Sequence, residues 1–294
     1  MAMVRKLSPY LYLLPFLALM GFIFIGGLTQ AVVQSLGYLP IFDMTELTPR
    51  YYLQVFGDAR FVGALRYTLY LALLSSVLSI LFGVAVAFAV HNARLGDKLS
   101  FTLYKIPVII PHIVVVILVF SIFFQTGILS RVAFALGVID SPHSFPLLVQ
   151  DRGGIGIMLV YLYKQVPFVA IMVFTALRSL ESTFEQVAEN LGASAFFTFR
   201  RVTLPMLAPS ILSAFLIVFA FAFGAFEVPY LLGSPARHTL PVLAYIDYSS
   251  PVHGTRPPAM AMSVVISIIS LSLVWLYMSL LRYLSKRGLE GGVL

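Results

Sequence analysis

Six long apolar stretches, separated by shorter polar segments, dominate the pattern of this chain. A helix needs about 20 residues to cross the hydrocarbon core of a bilayer, and each stretch reaches that length. Helices are predicted for all six, because a backbone in lipid has to satisfy its own hydrogen bonds and no alternating strand pattern competes. The predicted spans cover residues 11–33, 67–90, 103–124, 155–177, 211–232 and 259–281. The predicted fold class is therefore an all-α, polytopic membrane protein.

Composition supports the bilayer as solvent. Of 294 residues, 60% are hydrophobic and 11% are charged, against roughly 25% charged in soluble domains. The chain has no cysteine, which excludes disulfides, thiolate nucleophiles and cysteine metal sites. The five histidines lack metal-ligand spacing, and no Ser-His-Asp arrangement or paired carboxylate site stands out. We predict a chain that is not an enzyme, with no catalytic residues and no metal site.

The net charge of +7 fits membrane topology better than nucleic-acid binding, because the basic residues are scattered through short loops. Arg5 and Lys6 precede an apolar run too long for a signal peptide, so we predict a retained first span. The C-terminal tail is basic, which places both termini in the cytoplasm by the positive-inside rule. The outer loops, residues 36–66, 125–154 and 233–258, form either a rim for an external partner or simple connectors.

The loop between the fourth and fifth spans carries a helical pattern. Gly192 interrupts it, which indicates a turn or close packing, and Pro205 is expected to end the unit before the fifth span. An amphipathic helix lying on the bilayer fits the same pattern. Apolar residues recur at three- and four-residue spacing and form one stripe, made of Phe184, Val187, Ala188, Leu191 and Ala195.

The spacing within this loop resembles that of binding-protein-dependent ABC importer permeases. Their pattern is Glu-Ala-Ala, three residues, Gly, nine residues, then Ile-x-Leu-Pro. Here residues 186–188 read Gln-Val-Ala, three residues precede Gly192, and nine more precede Val-Thr-Leu-Pro at 202–205. Gln, Val and Val depart from the usual Glu, Ala and Ile, and Glu185 offers a carboxylate one residue earlier. The segments Pro-Val-Ile-Ile-Pro at 107–111 and Gln-Val-Pro-Phe at 165–168 also look like this family.

The resemblance implies a type I importer permease in which this loop is a cytoplasmic coupling helix seated on an ATPase. It also implies two ATPase subunits that bind ATP and Mg, a second permease subunit and an external solute-binding protein, in a bacterial or archaeal plasma membrane. The implied divisions are 1–64 for the first span and loop, 65–281 for the permease domain and 282–294 for the tail. The implied coupling residues are Glu185, Gln186, Val187, Ala188, Glu189, Leu191, Gly192, Ala193, Leu204 and Pro205.

Charged residues at membrane depth are candidates for function. Lys164 lies near the middle of the fourth span, and Glu227 is expected in the outer half of the fifth, before Pro229. Either they line the translocation path with Tyr161 and Tyr163, or they pair with each other or with the second permease. The segments around Glu227 look more like spermidine/putrescine-type permeases than sugar permeases. The expected solute is polyamine-like or another small charged organic molecule. The alternatives are a sugar or polyol phosphate, or a secondary transporter that works without ATP.

Overall fold

The computed structural model describes residues 2–92, 107–180, 187–188 and 190–286. Within these residues the regular secondary structure is helical and there is no β-strand. One isolated antiparallel bridge joins Leu39 and Met44. Six helices are long and apolar enough to cross a membrane, which confirms the predicted fold class. The helices are α1 (Ala2–Ser35), α2 (Arg50–Gly57), α3 (Ala59–Asn92), α4 (His112–Phe123), α5 (Ile128–Ala135), α6 (Ile155–Ser179), α7 (Ala195–Thr198), α8 (Leu204–Gly224), α9 (Glu227–Leu232), α10 (Leu240–Ser249) and α11 (Arg256–Lys286).

The third span begins later than predicted in the described part of the chain. Helix α4 starts at His112, and Pro111 is its N-cap. A proline has no N–H and disfavours helical geometry in the residue before it, so the helical turn at 107–109 stops at Ile110. Residues 103–106 of the predicted span lie outside the described residues. Beyond α4 the apolar span continues to Ala135, through a break that precedes α5.

A fifth span is confirmed, but its predicted bounds, 211–232, are wrong. The apolar span runs from Phe196 to Gly224 and passes through one π-helical turn at Phe199–Thr203. Pro205 does not end a helix, because the helical path continues through it from the π-helical turn, where the Leu204 N–H donates to the Phe199 carbonyl, into α8. The span stops at Ala225, which is extended, and Glu227 begins the separate helix α9.

The chain divides into two compact units. The first comprises Met1–Val62 and Leu240–Ile268. At its polar end the Arg60 guanidinium lies 2.9 Å from an Asp58 carboxylate oxygen and 3.4 Å from one of Asp247. Partial burial raises the pKa of Asp58, but hydrogen bonds from Arg60 outweigh it and hold that pKa below its ordinary value. Arg256 also lies over the ring of Phe42, at 4.9 Å from the ring centroid.

The second unit comprises Gly63–Thr239 and Ile269–Leu294. Its core is formed where α3, α6 and α8 meet, around Ala87, Val173 and Leu207. A Cβ atom on Gly83 would lie 2.6 Å from the Cβ of Val169, so glycine permits the close approach of α3 and α6. The predicted division at residues 64 and 281 stays a prediction.

Candidate functional site

The interspan loop turns sharply at Gly192. Its φ is +83°, in the left-handed region that glycine adopts without a steric cost. The Ala193 N–H donates to the Ala188 carbonyl at 3.0 Å, the hydrogen bond of a Schellman motif that closes a helix. In the part of the chain that the structure describes, no atom lies within 4 Å of a Cβ built on Gly192. The turn is therefore confirmed, whereas close packing within this chain is not found.

A second helix starts two residues after that turn. The Ser194 hydroxyl accepts a hydrogen bond from the Phe197 N–H at 3.3 Å, and its carbonyl accepts one from the Thr198 N–H at 2.9 Å. Serine in this position is an N-cap, which satisfies donors that the first helical turn leaves free. Gly-Ala-Ser is thus a short connector of defined geometry between two helical segments.

Large apolar side chains of this loop face outward. Leu191 is 82% exposed, Phe196 is 71% exposed, and Val187 and Phe197 are each more than half exposed. Exposed apolar side chains mark a contact with another protein or with a membrane, and Phe196 and Phe197 lie in the apolar span that begins at Phe196. Of the other predicted coupling residues, Leu204 is half-buried and Pro205 exposed, while Glu185, Gln186 and Glu189 lie outside the described residues.

Lys164 on α6 is hydrogen-bonded to the backbone of residues 107–110, which precede α4. Its ammonium donates to the carbonyl oxygens of Pro107, Val108 and Ile110 at 2.8, 3.0 and 2.6 Å. These bonds match the three hydrogens of the ammonium. Among the described residues it forms no ion pair with Glu227, so the predicted pairing of the two is not found.

Two of the three carbonyls, those of Pro107 and Ile110, lack their usual donors because of the break at Pro111. In a continuous helix the N–H of residue 111 would bond to the carbonyl of Pro107, and proline has none. The Val114 N–H, which would reach Ile110, bonds instead to Pro111 at 3.1 Å. Unsatisfied carbonyls are costly in lipid, and Lys164 supplies the missing hydrogens. A cation at the C-terminal end of a helical turn is also favoured by the peptide dipoles.

A cavity of about 210 Å³ adjoins Lys164. The imidazole of His112 stacks on the ring of Phe221, with centroids 5.2 Å apart. Gln165 is already engaged, because its Oε1 accepts from Ser79 at 2.9 Å and its Nε2 donates to the Val218 carbonyl at 3.5 Å. Five of the eight residues that line the cavity are apolar (Val108, Phe168, Ile217, Val218 and Phe221), and the other three are His112, Lys164 and Gln165.

The other predicted path residues are not among those that line this cavity. Tyr161 is buried, and its ring packs edge-on to Phe221 with centroids 6.4 Å apart. Tyr163 is 39% exposed. Glu227 is exposed at the start of α9 and makes no hydrogen bond or ion pair with another described residue.

Residues 79–288 match the sequence profile of a family described as "Binding-protein-dependent transport system inner membrane component". The chain belongs to this family. The match includes the Gly192 loop, the Lys164 site and the cavity, and it confirms the resemblance that the loop spacing indicated.

The chain is similar to named members of this family. It is 27% identical over 228 residues to the thiamine transport system permease protein ThiP of Brucella abortus (strain 2308), an alignment that covers 77% of this chain but 40% of ThiP. It is 31% identical over 116 residues to the putrescine transport system permease protein PotI of Escherichia coli (strain K12), with 40% of each chain covered. This chain therefore spans well under half the length of ThiP.

The fold is shared with a chain of a bacterial ABC transporter involved in the import of the acidic polysaccharide alginate. The TM-score is 0.76 at 17% identity, over 95% of this chain and 97% of that chain. Identity at this level supports the fold alone.

Sequence reasoning did not find the aromatic lining of the cavity. Phe168 and Phe221 lie in apolar stretches where aromatic residues are common, and nothing in their spacing sets them apart. The Pro-Val-Ile-Ile-Pro segment was the available signal for the Lys164 site, since two prolines four residues apart indicate an interrupted helix.

Proposed function

We propose that this chain is a transmembrane permease subunit of an ATP-driven importer, which passes a small solute inward by alternating access. Family membership supports this role. The observation that carries it is the exposure of Val187 and Leu191, apolar side chains that lie beside the turn at Gly192 and outside the apolar span. A rigid element transmits the movement of an ATPase to the spans better than a flexible loop does.

The proposed assembly has two ATPase subunits, which bind ATP and Mg, on the cytoplasmic side, where both termini of this chain also lie. A second permease and an external solute-binding protein complete it. A secondary transporter that works without ATP is the alternative from a different class. A secondary transporter has no ATPase subunit to contact the exposed apolar side chains of the loop.

Docking of the ATPase is tested by Leu191→Asp. Leu191 is 82% exposed, so a carboxylate there is expected to disturb little within this chain. We expect the variant to reach the membrane in the normal amount but to lose co-purification of the ATPase, because a charge is placed in an apolar contact. Leu136→Asp is the matched control, since Leu136 is 74% exposed at the end of α5, in the loop we assign to the outer side. Retention of the ATPase by Leu191→Asp at the level of the control would contradict the proposal.

The proposed solute is a small charged organic molecule, with a polyamine-like cation as the first choice and a sugar or polyol phosphate as the second. Two observations favour a cation. All three hydrogens of the Lys164 ammonium are donated to backbone carbonyls. Glu227, in contrast, is exposed and has no partner among the described residues. Two relatives are named for the transport of organic cations, putrescine and thiamine, and another is named for the anions molybdate and tungstate.

Glu227→Gln tests the part played by the carboxylate. We expect a higher half-saturation concentration for a cationic solute and an unchanged amount of assembled transporter, because the charge is lost while the shape is kept. Glu46→Gln, at another exposed carboxylate, is the control. Unchanged uptake kinetics in Glu227→Gln would show that this carboxylate does not face the solute.

A further inference from the structure

The backbone carbonyls of residues 107, 108 and 110 converge on one point, the Nζ atom of Lys164. The three distances lie between 2.6 and 3.0 Å, the range of charge-assisted hydrogen bonds. A primary ammonium has three hydrogens and satisfies all three oxygens at once. A quaternary ammonium has none and cannot replace it.

The position of this carbonyl site follows from the break at Pro111, and the hydrogen bonds from Lys164 add to its stability. The carbonyls of Pro107 and Ile110 lose their helical partners through Pro111, as described above. Backbone oxygens that point at one position stabilise a cation there and repel an anion, as in the carbonyl rings of ion-selective filters. The site is therefore suited to a cation whatever molecule supplies it.

The carbonyl site is also accessible from the cavity. Lys164 and Val108 take part in the carbonyl site and also line the cavity, and Lys164 is only partly buried. Four further lining residues, Phe168, Ile217, Val218 and Phe221, are apolar and suit a short alkyl chain, while His112 and Gln165 are polar. A molecule in the cavity with an ammonium at one end can thus place that end where the Lys164 ammonium now lies.

We propose that the three carbonyls form a binding site for a primary alkylammonium group, in which Lys164 is the resident occupant and competes with the solute. The solute places its ammonium on the carbonyls and its alkyl chain in the cavity when the flexible Lys164 side chain withdraws. That this exchange belongs to the transport cycle rests on the proposed function. The carbonyl site itself and its preference for primary ammonium do not.

The test is rescue of the full-length Lys164→Ala variant by propylammonium. The variant empties the carbonyl site and opens a path from the cavity. We expect propylammonium, present from expression onward, to restore the yield of monodisperse protein and to raise the midpoint of thermal unfolding in detergent. Tetramethylammonium at the same ionic strength should do neither. Wild-type protein should need at least tenfold more propylammonium for the same shift, because Lys164 occupies the site.

Arg282→Ala is the control, because it removes another cationic contact, from Arg282 Nε to the Met278 carbonyl at 3.1 Å, without a carbonyl site of this kind. Propylammonium should not affect it. No effect on Lys164→Ala, an equal effect of tetramethylammonium, or equal affinity in wild type and Lys164→Ala would each overturn the proposal. The propylammonium assay contains neither ATPase nor ATP. Its result is therefore independent of the Leu191→Asp experiment, which tests the proposed function.

Discussion

Gly192→Arg is expected to abolish ATP-driven uptake while leaving the permease in the membrane at its normal amount. The left-handed backbone at φ +83° costs a non-glycine residue about 1–2 kcal/mol. No described atom lies within 4 Å of the position of a Cβ, so the arginine meets no clash in its own chain. It projects instead from the surface proposed to hold the ATPase. A poorly placed charge at the centre of an interface costs about 2 kcal/mol or more, roughly thirtyfold in affinity. Uptake of solute and co-purification of the ATPase measure the effect.

Gly137→Arg separates backbone strain from docking. Gly137 has φ +68° and open space around its Cβ position, so arginine there carries the same backbone cost. It follows α5, in the loop assigned to the outer side, where no ATPase docks. We expect it to retain most of its uptake. Equal loss in both variants would attribute the effect to strain, and normal uptake by Gly192→Arg would remove the loop from the coupling mechanism.

Lys164→Met is expected to lower the free energy of unfolding by about 2–4 kcal/mol, because methionine leaves acceptors without donors, and each unsatisfied buried polar group costs about 1–3 kcal/mol. The lower half of that range is favoured, since Lys164 is partly exposed and water can reach some of the oxygens. The third span should loosen at 107–110, where the cavity wall is formed. Thermal unfolding in detergent measures the change.

Lys164→Arg is the matched variant, because arginine keeps a positive charge and several N–H donors on a long side chain. It should recover much of the stability that methionine loses. If Lys164→Met is as stable as wild type, the three hydrogen bonds do not hold the broken span, and Lys164 would have to be explained by another contact.

The sequence predicted six spans because a bilayer imposes a length that apolar runs reveal directly. It misplaced the fifth because the break at Ala225 and Phe226 is apolar and carries no hydropathy signal. Pro205 was misread for a different reason. Proline usually ends a helix, but here the helical path continues through it beside a π-helical turn, and the sequence does not show where such a turn lies.

The site was predictable where side chains define it. Gly192 and Ser194 are residue types that favour a helix C-terminus and a helix N-cap, so both positions are informative in the sequence itself. Lys164 stood out as a charge at depth, but its partner could not be predicted, because carbonyl oxygens belong to every residue. Only the tertiary placement of α6 beside the break at Pro111 shows which carbonyls are free.

Uptake by vesicles that contain the purified permease assembly, with and without its ATPase, tests the central claim most directly. The solute, presented on its binding protein, should accumulate only when the ATPase and ATP are both present, and Leu191→Asp should abolish that accumulation. Equally fast uptake by the permease alone, down a solute or ion gradient and without ATP, would contradict the account.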